Sequence, residues 1–260
     1  MKRILIPPAM MLVALLAACS GNRETAGMEF GKVSVEKEVA LAEEPDAPSC
    51  KVLLEVLEAK GDSAARRVND AVQLRLFNLS GLTMQQAADS FATQYAADYQ
   101  HNLAPLYAED AHDAEKHAWY EYHYNVSTQT QTGKNGVVVY LVNLDYFEGG
   151  AHGIQQQLVM NFDASTGRQL QLADIFVPGA EHRLSELLLE KLMDQTDTHS
   201  LDELKQKDYL YSMQMFPSEN FILGSDELTF IYNPYEIAPY SAGKTELTVS
   251  YSEVEELLRK

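Results

Sequence analysis

Basic residues are scarce in this chain: 20 Lys and Arg stand against 38 Asp and Glu, a formal charge of −18 over 260 residues. A surface of that sign repels nucleic acid and anionic lipid headgroups, so neither is an expected partner, and it attracts cationic proteins and peptides. Cysteine is scarcer still, with Cys19 and Cys50 alone. If Cys19 is modified, Cys50 has nothing to pair with, so the body stands on its hydrophobic core without an intrachain disulfide. At 46% hydrophobic residues, the chain carries enough apolar material for one large domain or two small ones. Beyond the N-terminus no apolar run is long enough to span a bilayer.

Several catalytic patterns are also missing. The histidines at 101, 112, 117, 123, 152, 182 and 199 include no pair three or four apart. That excludes His-Glu-x-x-His zinc sites and the His-x-x-x-His of carbohydrate deacetylases. A serine-hydrolase elbow needs Gly-x-Ser-x-Gly, and the nearest stretch, Gly149 to Gly153, has Ala151 at its centre. No glycine-rich phosphate loop ends in Lys-Ser/Thr. No metal and no cofactor is expected.

What is present starts with a charged Lys2-Arg3, a short apolar run and small residues up to Cys19. This is the pattern of a secretory signal peptide over residues 1–19. Its last residues, Leu16-Ala17-Ala18-Cys19, resemble the lipobox of bacterial lipoproteins, whose cysteine is lipidated and becomes the new N-terminus. The expectation is a cell-envelope protein anchored to a membrane through Cys19, periplasm-facing or on the cell surface. Removing Lys2 and Arg3 leaves 18 basic against 38 acidic side chains, a net of −20. Residues 20–29, small and polar at first, read as a tether.

Two strand-like stretches follow, near Phe30 to Leu41 and Lys51 to Ala59, parted by a turn region with Pro45 and Pro48. Asp62 is placed as the N-cap of a helix with Ala65, Val68, Val72 and Leu76 at helical spacing. Thr83-Met84-Gln85-Gln86 has the capping-box pattern. It opens a second helix carrying Met84, Ala88, Phe91, Tyr95 and Tyr99 on one face, with Pro105 at its end or a kink. Trp119 to Thr128 alternates as a strand, and Lys134-Asn135-Gly136 is a hairpin turn. Val137 to Phe147 then sets Val138, Tyr140, Val142, Leu144 and Tyr146 on one face. The next run sets Leu158, Met160 and Phe162 opposite Gln155, Gln157 and Asn161. Together these predict an antiparallel meander whose aromatic face is core beneath the helices.

Beyond the Asp163 to Gly167 turn, Leu184, Leu187, Leu188 and Leu192 mark a helix, and a polar helical segment continues to about Met213. Two short strands flank Gly224 to Glu227, Thr245 to Tyr251 is a further strand, and Ser252 to Leu258 reads as a closing helix. Segregated helices and antiparallel strands predict an α+β fold, a sheet with helices packed on one face. It is divisible into a small N-terminal α+β module over residues 30–112 and a C-terminal α+β domain over 113–260.

Between the second and third meander strands stands Tyr146-Phe147-Glu148-Gly149-Gly150-Ala151-His152-Gly153. Three glycines in five residues imply a bend with backbone that a Cβ would obstruct. His152 then either braces a loop carbonyl or serves as a ligand-binding group, and both roles stay open.

Three ordered landmarks carry a family resemblance. They are Gly149-Gly150-Ala151-His152; Asn161-Phe162-Asp163 with Thr166-Gly167, Leu172, Asp174, Ile175 and Phe176; and Tyr232-Asn233-Pro234-Tyr235-Glu236-Ile237-Ala238-Pro239-Tyr240 with Gly243. Together they resemble the extracytoplasmic domain of the RsiV-like, lysozyme-sensing anti-sigma factors, which also occurs beside the polysaccharide deacetylase domain of PdaC. The resemblance implies recognition in the cell envelope rather than catalysis. The ligand-binding candidates are Tyr146, Glu148, Gly149, Gly150, His152, Tyr232, Asn233, Tyr235, Glu236 and Tyr240. Three functions are weighed: a non-catalytic receptor for a cationic protein such as a lysozyme, or for peptidoglycan; a cell-wall hydrolase or deacetylase using Asp145, Glu148 and His152; and a structural envelope lipoprotein.

Overall fold

The computed structural model describes residues 23–44 and 46–260. The expected signal peptide, Cys19 and residues 20–22 lie outside the described residues. The rest of the expected tether is strand. Arg23–Thr25 (β1) turns through Ala26 and Gly27, both at positive φ, and pairs antiparallel with Met28–Ala40 (β2). The burial of Thr25, Met28 and Phe30 explains this, because the apolar alternation already begins here.

Ser49–Lys60 (β3) follows, then Ser63–Phe77 (α1) and Met84–Asp110 (α2). The Asp62 side chain accepts from the Ala64 N–H and caps α1, while Thr83 and Gln86 form a reciprocal capping box at α2. Pro105 lies inside α2 rather than at its end. The helix continues because its last turns are packed: Tyr107 is buried, edge-on to Tyr120 at 5.4 Å between ring centroids.

Tyr122–Thr132 (β4), Val137–Phe147 (β5), Ile154–Asp163 (β6) and Gln169–Leu170 (β7) complete a sheet in which β1 to β7 lie side by side in chain order. All neighbours are antiparallel except β3 and β4, whose parallel pairing is made possible by the α1–α2 crossover. The sheet therefore runs unbroken across the boundary expected between residues 112 and 113. Trp119 and Tyr120 precede β4 instead of joining it. Ala114–Trp119 forms a 3-10 turn capped by Asp113, which holds Trp119 off the sheet and exposed.

Val52, Leu54, Val126, Val138, Tyr140, Val142, Met160 and Phe162 form a core with Val68, Val72, Met84 and Ala88 of α1 and α2. On the opposite face, Val137, Val139 and Val159 pack on a second sheet made of Phe221–Leu223 (β8), Glu227–Tyr232 (β9) and Thr245–Ser250 (β10), in the order β10-β9-β8. Glu181–Thr196 (α4) covers that sheet with Leu184, Leu188 and Leu192. It is preceded by the short Leu172–Ile175 (α3) and followed by Leu201–Gln206 (α5). The fold is α+β. The Val137-Val138-Val139 run is apolar throughout because it is buried from both sides. Farther along β5 the second face carries Asn143 and Asp145 instead, and the small sheet does not cover it.

Two helical expectations fail. After Gln206 the chain leaves the helix, with Asp208 and Leu210 at positive φ, because Leu210 is buried and its N–H donates to the Ile237 carbonyl at 2.8 Å. At the C-terminus only Glu255–Leu257 is a 3-10 turn. There the Leu257 carbonyl accepts from the Val177 N–H, and the Arg259 N–H donates to the Ile175 carbonyl, both at 2.8 Å, which draws the chain out beside residues 175–177.

Candidate functional site at the glycine corner

The bend 148–153 joins β5 to β6. Gly149 and Gly150 have φ of 81° and 95°, a region that L side chains rarely adopt. A Cβ on Gly149 would also stand 3.2 Å from the Trp119 carbonyl oxygen, so the bend is seated on the 3-10 turn. This conformation turns His152 toward the loop that follows β9. Its Nδ1 donates to the Gly153 carbonyl at 3.0 Å, which leaves Nε2 of the neutral ring to accept from the Tyr235 hydroxyl at 3.1 Å. The imidazole also stacks on Tyr240, with centroids 3.8 Å apart and planes 14° apart. The first and third landmarks of the sequence are thus joined in space.

The loop is braced from within. Glu236 accepts from the Asn233 N–H at 2.9 Å and its own N–H donates to the Asn233 carbonyl at 3.1 Å. Tyr235 sits at φ 74°, unusual for an aromatic residue, and its N–H donates to the Ala238 carbonyl at 2.9 Å. Asn233 is buried and works as a surrogate strand. Its Oδ1 accepts from the Gln157 N–H at 2.8 Å and its Nδ2 donates to the Gln157 carbonyl at 3.1 Å, on the edge of β6 that β7 is too short to cover. Asn220 does the same for the Val159 N–H at 2.7 Å. Tyr232 is buried too, and its hydroxyl donates to the Phe216 carbonyl at 2.6 Å.

The remaining candidates face elsewhere. Tyr146 lies against Tyr124, which in turn packs on Tyr95 and Phe91 of α2, so this aromatic face is the helix-covered layer. Glu148 accepts from the Tyr95 hydroxyl at 2.7 Å. Burial first, then this bond and the carboxylate charge, pushes the Tyr95 phenol far above its ordinary range. Asp145 has its own set of partners: His123 Nε2 and Asn125 Nδ2, each at 3.3 Å, and Gln155 Nε2 at 3.5 Å. Asp145, Glu148 and His152 therefore serve three separate sets of partners. Among the described residues no group of three or more His, Cys, Asp or Glu is arranged to hold a metal ion.

Of the ten candidates, His152, Tyr235 and Tyr240 come together at the surface, Gly149 and Gly150 shape the bend, and Tyr232, Asn233 and Glu236 hold the loop. Tyr146 and Glu148 belong to the α2 side. The sequence reading missed the other wall of the site. Residues 208–213 and 235–241 enclose a groove of about 500 Å³ lined by Asp208, Tyr211, Met213, Tyr235, Glu236 and Pro239. Tyr211 is 78% exposed and Tyr235 60%. No glycine or proline interrupts residues 201–213, so nothing in that stretch signalled the loop.

The architecture and this corner define an α+β domain with a two-loop, tyrosine-bearing surface groove. Residues 173–252 match the family model described as "Protein of unknown function (DUF3298)", and a DUF3298 domain is present. That match takes in the Tyr232 to Tyr240 loop and leaves the His152 bend outside it. Among solved structures, the chain is similar to a DUF3298 family member from Bacteroides fragilis. That likeness has a TM-score of 0.83 and 28% identity, over 92% of this chain and 96% of that one. A DUF3298 family protein from Pseudomonas aeruginosa shares the fold, with a TM-score of 0.59 and 18% identity over 89% of this chain and 94% of that one. No curated protein matches the chain.

Proposed function

We propose that this chain is a non-catalytic binding protein of the bacterial cell envelope, lipid-anchored through Cys19, that captures a cationic protein of the lysozyme kind. The observation carrying this reading is the junction of His152, Tyr235 and Tyr240 beside the groove that holds Asp208 and Glu236. Tyrosines fixed in place offer contact area at low entropic cost, and beside carboxylates they suit the lysine and arginine side chains of a basic partner. The net charge of −20 left after signal removal favours the same partner by steering encounter. The landmarks that resemble RsiV-like domains support recognition in the cell envelope, and two of them build the junction. The separate engagement of Asp145, Glu148 and His152 supports recognition over bond cleavage.

The test is a titration of residues 20–260 with a lysozyme and, separately, with purified peptidoglycan, at about 50 and about 300 mM salt. A lysozyme complex that weakens with salt, and by about tenfold or more in Tyr235→Ala, is expected. Absence of a complex at low salt, or release of soluble fragments from the peptidoglycan, would overturn the reading.

A further inference from the structure

A second site lies on the part of the large sheet that the small sheet leaves bare. Cross-strand register there aligns polar side chains in rows. Asn125, Asp145 and Gln155 stand opposite one another across β4, β5 and β6, and Ser127, Asn143 and Gln157 form the next row. Asn143, Asp145, Gln155 and Gln157, with Asn233 and Lys244, line a cleft of about 230 Å³. The chain bonds these groups only in part. Gln157 Nε2 donates to Asn143 Oδ1 at 3.2 Å, and Lys244 Nζ donates to Gln157 Oε1 at 2.8 Å. Among the described residues, the amide nitrogen of Asn143 and the amide oxygens of Gln155 and Asn125 have no protein hydrogen-bond partner.

We infer that this cleft binds a neutral oligosaccharide. Unused donors and unused acceptors stand on the same small surface. A sugar hydroxyl both donates and accepts, so a row of hydroxyls answers both kinds of group at once. Charge points the same way. In a chain of −18 the cleft carries charges of both signs, Asp145 and Lys244, and Lys244 is itself bridged to Glu246 at 2.5 Å. An uncharged ligand therefore meets little electrostatic opposition, and a cationic one gains little. The volume lies below the roughly 300–1,000 Å³ of drug-sized pockets, room for about one sugar ring with the rest of the chain lying along the rows. His123 and Phe147, stacked at 6.3 Å between centroids in the neighbouring row, offer a ring surface for the C–H face of a second unit. This site uses none of the groups that carry the cationic-protein reading, and each stands without the other.

The experiment is a ¹H–¹⁵N NMR titration of residues 20–260 with maltohexaose, cellohexaose and N-acetylated chitotetraose, without any protein partner. Shifts confined to the side-chain amides of residues 125, 143, 155 and 157 and their backbone neighbours are expected with at least one of the three. The affinity is expected to persist at about 0.5 M salt, where surface electrostatics are screened. Asn143→Ala combined with Gln155→Ala removes two sets of hydrogen bonds and weakens binding by about tenfold. Tyr235→Ala leaves it unchanged while weakening the lysozyme complex by about tenfold or more. If the double variant unfolds, the exposed single change Gln155→Ala, with the shift map of the unaltered chain, decides the matter. No shifts at millimolar sugar, shifts that map to other residues, or binding that disappears with salt would each overturn the inference.

Discussion

His152 and Tyr240 lie ring on ring, 3.8 Å between centroids and 14° between planes, and the contact ties the β5–β6 bend to the loop after β9. No strand pairing joins the two segments directly; the stack and the Tyr235 hydroxyl do so, beside the Asn233 clasp that holds the loop to Gln157 of β6. A double-mutant cycle on His152→Ala and Tyr240→Leu should give a coupling of about 0.5–1.5 kcal/mol, read from urea unfolding midpoints. Additive effects of the two changes would mean that the loops are positioned independently.

Asn233 supplies a donor and an acceptor to the backbone of Gln157. Asn233→Ala leaves the Gln157 N–H unpaired and its carbonyl with the Asn220 amide alone, donated at 2.8 Å, at a cost of about 1–3 kcal/mol. Asn233→Asp can still accept from the N–H, but it sets a carboxylate oxygen against the Gln157 carbonyl, so the N–H keeps its bond while the carbonyl meets repulsion. Hydrogen exchange of the Gln157 amide should accelerate in Asn233→Ala and stay closer to the parent rate in Asn233→Asp.

Gly167 closes the β6–β7 turn at φ 70°, and a Cβ there would fall 2.1 Å from the Ala64 carbonyl oxygen at the start of α1. Strain and collision act together in Gly167→Ala, and the expected loss is about 3 kcal/mol or more. Gly179 also has positive φ but meets nothing within 4 Å, so Gly179→Ala should lose much less in the same thermal-unfolding assay.

The strands and the first two helices were legible because their signals are local. Alternation in Val137 to Phe147 and the caps at Asp62 and Thr83 name the elements and the buried face directly. The wall formed by residues 208–213 was not, because Leu210 leaves the helix to reach Ile237, a contact distant in the chain. The closing helix at 252–258 failed for the same reason, since its backbone pairs with residues 175–177. The site divides similarly. The glycines announced a bend at His152, yet no local pattern shows that Asn233 caps β6 while its neighbour Tyr235 faces outward. A buried bracing residue and an exposed one stand two positions apart in one motif, and only tertiary packing tells them apart.

Acid should loosen the C-terminal half in a way that one carboxylate isolates. Glu253 accepts from Lys191 Nζ at 2.6 Å and, through its other oxygen, from the Ser250 N–H and hydroxyl, each at 2.8 Å, which ties β10 to α4. The lysine bond first, then the serine bonds, lower its pKa from the ordinary 4.5 to about 2. Hydrogen bonds from Ser165 and Thr166 lower Asp163 as well, and those from the Gln171 N–H and Arg168 lower Asp174. A carboxylate with a depressed folded pKa binds its proton first in the unfolded chain. Its stabilisation is therefore complete above the unfolded pKa, near 4.5, and is lost as pH falls toward about 2. The gain is moderated by solvent screening, since the Glu253 side chain is 37% exposed. Protonation also relieves the repulsion within an acidic chain, but that relief is common to the parent and the variant. The stability difference between the parent and Glu253→Gln, from urea unfolding at pH 7, 4.5, 3 and 2, should thus be largest at the two higher values and close at the lowest. A difference that stays constant over the series would show that the Lys191 and Ser250 bonds do not set the acid sensitivity of this region.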